Sequence, residues 1–176
     1  EIQAIPCEWM DTLPDLYTVN QAIFISANAV DYFFQQLQGQ SKAWPEQINV
    51  IAIGDASAQA LNAYGIRVHH IPAMADSEHL LALPCLQSLS EQSILLVKGE
   101  GGRSLIEQEL LRKKAQVFAL SVYQRILPTL PLGFTHSLWR DDAVDIILLT
   151  SEQSMHHLFE LFSPDAHAWL RSKPCF

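Results

Sequence analysis

Ser93-Ile94-Leu95-Leu96-Val97-Lys98-Gly99-Glu100-Gly101-Gly102-Arg103 opens the stretch on which the fold turns, and Val122-Tyr123-Gln124-Arg125 closes it. Four consecutive apolar residues followed by a glycine-rich turn read as a buried strand that runs into a helix. The spacing predicts a strand over 93–98, a helix over 103–114 and a second strand over 116–123. Glycines at such a turn let backbone approach a ligand and present free N–H groups at a helix N-terminus.

The same unit recurs on both sides. Ala22-Ile23-Phe24-Ile25 reads as a strand ending at Ser26-Ala27-Asn28, and Val30, Phe33, Phe34 and Leu37 make the apolar stripe of the next helix. Asn28 is the expected N-cap. Ile48–Ile53 is a strand, Gly54-Asp55 its turn and cap, and the helix from Ala56 stops at Gly65. Val68–Ile71 is expected as a third strand, and Asp76-Ser77 caps a short helix through Leu83. Beyond Pro128, Pro131 and Gly133, a short helix is expected over 132–139, a buried strand over 144–149 and a helix from Ser151. Strands alternating with helices define the α/β class, with a parallel sheet and helices on both faces.

An internal repeat is visible at one constant offset. Ser26 falls on Ser151, the stripe Val30, Phe33, Phe34, Leu37 falls on Met155, Leu158, Phe159, Phe162, and Trp44 falls on Trp169. The strand Ile48–Ile53 falls on Lys173 onward. The chain therefore reads as one complete α/β unit and the start of another, with continuation beyond Phe176 expected. Glu1 rather than Met opens the sequence, which also suggests a piece of a longer protein.

Composition narrows the function. Hydrophobic residues make up 49% and charged residues 17%, a folded rather than disordered balance. No apolar run is long enough to cross a bilayer, and no signal peptide is evident. A net charge of −8 argues against nucleic acid and anionic membranes as partners. Cys7, Cys85 and Cys175 have no metal-ligand spacing, and a reduced, cytoplasmic setting is expected.

The chemistry-bearing positions each admit two readings. Gly99, Gly101, Gly102 and Arg103, with Lys98 beside them, form either a tight strand-to-helix turn or an anion cradle. They are not a dinucleotide fingerprint, since Ser104 stands at the third glycine and no acidic residue follows to hold a ribose. Ser26, Asn28, Gly54, Ser57, Thr150 and Ser151 lie where strands end, the edge at which open α/β sheets bind ligands. Ordinary helix capping is the alternative. Tyr123 is either a half-buried strand aromatic or a phenol able to exchange a proton. The seven histidines match no metal or nucleophile motif.

In order and spacing these pieces resemble the uroporphyrinogen-III synthase family. The carrying segments are Phe24–Val30, Ile53–Ala58, Ser77–Leu81, Leu95–Arg103, Val122–Arg125 and Pro128. The resemblance implies two similar Rossmann-like or flavodoxin-like parallel-sheet domains joined by a two-stranded linker. Residues 1–8 and 119–127 would be the linker strands, 9–118 a complete domain and 128–176 part of the second. It implies a cofactor-free, monomeric lyase that closes the linear tetrapyrrole hydroxymethylbilane with inversion of its last ring and loss of water. Tyr123 would assist departure of the hydroxyl. Backbone N–H groups at the strand ends would hold the acetate and propionate arms, their local field outweighing the net charge within a Debye length of about 8–10 Å. A hinged binding module for a small anion, or a protein-interaction domain, would have the same gross pattern.

Overall fold

The computed structural model describes residues 2–5, 7–101, 104–149 and 152–176. Gly102, Arg103, Thr150 and Ser151, singled out above, lie outside the described residues. Two compact units divide the chain, one from Ile2 to Arg125 and one from Ile126 to Phe176.

The first unit is built on a five-stranded sheet. Its strands are β1 (Ile2–Ala4), β2 (Gln21–Phe24), β3 (Asn49–Ala52), β4 (Ser93–Gly99) and β5 (Gln116–Arg125), in the order β1-β5-β4-β2-β3. β2 to β5 run parallel. β1 runs antiparallel along the end of β5, with Ile2 opposite Arg125 and Ala4 opposite Tyr123.

Consecutive apolar residues in β2 and β4 force cover on both faces, because adjacent side chains point to opposite sides. Helices α1 (Ala27–Gly39) and α2 (Asp55–Ala63) supply one cover. Phe24, Val50, Leu95 and Val97 meet Val30, Phe33, Phe34, Leu37 and Leu61 there. Helices α3 (Ser77–Leu81) and α4 (Leu105–Arg112) supply the other, where Ile23, Ile51, Ile94 and Leu96 meet Leu80, Ile106 and Leu110. The expected stripe on α1 is thus buried along its whole length. Phe33 is its centre, stacked on Trp9 at 5.5 Å and edge-on to Phe24 and Trp44 at 5.7 and 5.9 Å.

Side-chain chemistry sets the starts of α1 and α3, and two expected caps need correction: α2 is capped by Gly54 through backbone alone, with Asp55 already its first helical residue. The N-cap of α1 is Ser26, not Asn28: Ser26 is extended and its Oγ accepts the Ala29 N–H at 3.1 Å, which places Asn28 inside the first turn. Asp76 caps α3 as expected, accepting the His79 N–H at 2.7 Å. Gly65 ends α2 in the left-handed region at φ 74°, and the Ile66 N–H returns to the Leu61 carbonyl at 3.0 Å.

The expected strand at 68–71 shrinks to one bridge, His70 beside Ile51. His69 takes over part of the ladder. Its N–H donates to the Val50 carbonyl at 2.8 Å, while its ring Nδ1 accepts the Val50 N–H at 3.0 Å. An imidazole that accepts at Nδ1 must be neutral. Partial burial, then the nearby Arg67 and His70 charges, hold its pKa below the usual histidine value.

The second unit contains α5 (Phe134–Arg140), α6 (Glu152–Leu161) and α7 (His167–Ser172). Phe162, Ala166 and Leu170 form its core, with Trp139, Leu158 and Trp169 packed against them. The expected buried strand at 144–149 is reduced to a single parallel bridge, Ile147 beside Cys175. Only one side of it is covered: Ile147 packs on the core while Ile146 and Leu148 stay exposed. An apolar run read as buried on both faces therefore lacks its second cover among the described residues.

The repeat extends to the pairing register. In the first unit Ala22 lies opposite Val50. Shifted by the offset that carries Ser26 onto Ser151, this pair becomes Ile147 and Cys175, the bridge observed. The first residue of α1 likewise falls on the first residue of α6. Shared polarity could arise by chance, but a shared pairing register requires the same strand–helix–strand geometry.

Phe33→Ala empties the centre of the aromatic cluster and is expected to destabilise the protein by about 3–5 kcal/mol in a urea melt. His69 gives a pH signature. Its depressed folded pKa means the unfolded chain binds the proton more readily, so stability is fully present above about pH 6.5 and declines below it. His69→Gln, which cannot take up that proton, is expected to flatten the decline in urea midpoint between about pH 7 and 5.

Candidate active site

The strand order fixes where a site belongs. The chain passes from β2 to β3 on one side of the sheet, then crosses back to place β4 on the other side of β2. The reversal falls between the carboxyl ends of β2 and β4, where an open parallel sheet splits to leave a crevice. Ser26 stands just past the end of β2 and Gly99 at the end of β4.

Tyr123 fills this place. Its Oη lies 3.1 Å from Ser26 Oγ, so the phenol of β5 reaches across β4 to the start of α1. Gly99 permits the crossing. A Cβ there would lie 2.5 Å from Tyr123 Cζ and 2.8 Å from its Oη. The ring is only 3% exposed and stacks on Tyr32 of α1, with centroids 5.9 Å apart. The Arg125 guanidinium carbon sits 5.8 Å from the ring centre.

A break in the ladder aims the ring. Lys98 lies opposite Ser121, but Gly99 lies opposite Tyr123, so Val122 is an extra residue in β5. Strict alternation would send Val122 and Tyr123 to opposite faces. With the bulge both join the core on the α1 side. Bulges are a common means of re-aiming a side chain beside a functional edge. The Glu100 N–H, at 2.7 Å from the Tyr123 carbonyl, fastens the strand just beyond the break.

Other expected site residues distribute differently. Lys98 points to the α4 side and pairs with Glu107 at 3.0 Å, its side chain 19% exposed, so its charge is already matched. Gly54 caps α2 through backbone alone, and a Cβ there would lie 2.7 Å from that of Ala75. Ser57 is 2% exposed in the first turn of α2. Asn28 is partly exposed in the first turn of α1, and Gly101 is exposed with φ 75°. The described residues thus join Ser26, Gly99 and Tyr123 at one point. Sequence reading did not find Tyr32 or the Val122 bulge. A tyrosine beside the Phe33–Phe34 stripe looks like any helix aromatic, and a bulge becomes visible only in the pairing.

Two cavities lie away from this edge. One, of about 360 Å³, is lined by Trp44, Ile48, Val50, Arg67 and His69, around the opening of β3 rather than its carboxyl end. Another, of about 300 Å³, is formed by residues 13–17 with Lys42 and Ala43. No group of three His, Cys, Asp or Glu among the described residues is placed to hold a metal ion, and no described helix is long and apolar enough to cross a membrane.

The fold and its carboxyl edge define an open α/β protein with a phenol set at the sheet's topological switch point. Comparison with known proteins gives the particular family. The family described as Uroporphyrinogen-III synthase HemD matches residues 3–176. The uroporphyrinogen-III synthase of Salmonella typhimurium (strain LT2) is 30% identical over 146 residues, covering 82% of this chain and 59% of that protein. That of Proteus mirabilis is 36% identical over 118 residues, covering 65% and 58%. The chain belongs to the uroporphyrinogen-III synthase family and spans less than two thirds of the length of these relatives.

Solved structures agree in fold. A mutant uroporphyrinogen III synthase from the extremely thermophilic bacterium Thermus thermophilus superposes with a TM-score of 0.68 at 20% identity, covering 96% of this chain and 67% of that one. The uroporphyrinogen-III synthetase of Helicobacter pylori 26695 gives 0.62 at 18% identity, covering 99% and 82%.

Gly99→Ala adds a methyl where the Tyr123 ring lies. It is expected to displace the ring, alter the near-UV circular dichroism and cost about 1–3 kcal/mol of stability. In Gly99→Ala/Tyr123→Ala the clash is gone, and adding the methyl is expected to cost markedly less than in the wild type.

Proposed function

We propose that the complete protein is a uroporphyrinogen-III synthase, closing hydroxymethylbilane to uroporphyrinogen III with inversion of the last ring and loss of water. Family membership supports the reaction class. The single structural observation that carries the site is the Tyr123 phenol held at the switch point of the sheet, 3.1 Å from Ser26. We place the protein in the cytoplasm as a cofactor-free monomer.

Tyr123 acts as the general acid. Its O–H bond breaks and the proton passes to the substrate hydroxyl, whose C–O bond breaks with both electrons leaving on water. The carbon left behind is an azafulvene cation stabilised by its pyrrole nitrogen. Closure through a spiro intermediate inverts the last ring, and the proton released as the macrocycle regains aromatic pyrroles restores the phenol. Much of the remaining work is geometric, since the flexible tetrapyrrole must be held so that the inverted closure outruns the direct one.

The acidic arms of the substrate need donors rather than matched lysines. Lys98 is already paired with Glu107. The start of α1, a helix of 13 residues, carries partial positive charge at the same edge as Tyr123. By the family resemblance, the backbone donors of residues 99–103 and of Thr150 and Ser151 are further candidates for the acidic arms. Residues 1–8 and 119–127 serve as the two-stranded connection between the lobe of 9–118 and that begun by 128–176. The antiparallel pairing of β1 with the end of β5 is the support for that reading.

In the complete protein supplied with hydroxymethylbilane, the type III isomer is expected to dominate over the type I isomer that forms spontaneously. Tyr123→Phe is expected to lower kcat by about 100-fold, the lower range of general-acid effects. Product remaining type I with wild-type protein would sink the enzyme reading; tetrapyrrole binding without turnover would point instead to a hinged binding module.

A further inference from the structure

We propose that Ser26 is a positioning residue for the Tyr123 phenol: its hydroxyl donates to Tyr123 Oη and leaves the phenol's own proton for the substrate. The inference rests on the role given to Tyr123 above.

Two hydrogen bonds meet at Ser26 Oγ. The Ala29 N–H lies 3.1 Å away and can only donate, so Ser26 accepts there. Tyr123 Oη lies 3.1 Å away on the other side, and that bond can run in either direction. If the phenol donated, its proton would point into Ser26 and away from any ligand. If the serine donates, the phenol oxygen is held as an acceptor and its proton is free to leave. Accepting the amide N–H polarises the serine hydroxyl and strengthens it as a donor. Its place at the start of α1 favours negative charge building on the oxygen it touches.

The surroundings restrict the phenol to this partner. Tyr32 lies against one side of the ring, Gly99 allows it across β4, and the Val122 bulge sets its face. Among the described residues Ser26 is the hydrogen-bond partner of Oη. During C–O cleavage the phenol becomes a phenolate as its proton moves to the departing water, and the Ser26 O–H bond to that oxygen strengthens as charge appears. Regaining the proton released on ring closure restores the starting state. No atom or electron is required from outside the pair of substrate and phenol.

A double-mutant cycle in the complete protein tests this. Ser26→Ala is expected to lower kcat about tenfold with little change in KM, the effect of one lost hydrogen bond to a reacting group. In the Tyr123→Phe background the same change is expected to leave kcat where it was, because the phenol through which Ser26 acts is absent. The loss of capping, by contrast, should lower Tm equally in both backgrounds. Ser26→Thr, which keeps both hydrogen bonds, is expected to restore kcat to within about twofold. Should Ser26→Ala not fold, Ser26→Asp keeps the cap but can only accept from the phenol, and is expected to lower kcat in the Tyr123 protein alone. An equal fall in kcat in both backgrounds, or none in the Tyr123 protein, overturns the role of Ser26. A Tyr123→Phe protein with undiminished kcat overturns the role of Tyr123 itself, and so is read separately.

Discussion

The first unit depends on an atom that is missing. Without a side chain at Gly99, the aromatic ring of Tyr123 can lie over β4 and bring its oxygen to the head of α1. Three chain segments far apart in sequence are tied at that point: the end of β2, the end of β4 and the end of β5. Any residue larger than glycine would have to displace a ring that is enclosed by core side chains, and close-packed interiors yield little.

The sheet explains why the tie is rigid. β2 and β4 are covered on both faces, so neither strand can tilt without opening one of two cores. α1 is fixed by an aromatic cluster in which Phe33, Phe34 and Trp44 meet at 5.2 to 5.9 Å. Ser26 is therefore held from the helix side and Tyr123 from the strand side. Preorganisation of this kind is what the general acid proposed for Tyr123 would need, since small displacements weaken proton transfer steeply.

Much of the architecture was legible from periodicity. The runs Ala22–Ile25, Ile48–Ile53 and Ile94–Val97 announced buried strands, and the stripe on α1 announced its packing. The repeat was legible too, and the structure carries it into the pairing, where Ile147 lies beside Cys175 as Ala22 lies beside Val50. What failed was local. Val68–Ile71 lost its ladder to a histidine ring, and 144–149 kept one covered side, since an apolar run does not say how many neighbours it will find. Asn28 yielded the cap to Ser26 because the chain turns helical earlier than the polar pair suggested. At the site, Tyr123 and Ser26 were each readable as types, but their meeting required the bulge at Val122, and a bulge belongs to the pairing of two strands.

An aromatic stopper at the switch point also limits what this lobe could become. Dinucleotide-binding relatives of the architecture use bare glycine backbone there to admit a pyrophosphate. Here the volume beside Gly99 is already occupied by the carbon of a ring. A descendant lineage could reopen the crevice by shrinking residue 123, and would lose the phenol in the same step. A bound pyrophosphate and the tyrosine ring are thus mutually exclusive occupants of this edge.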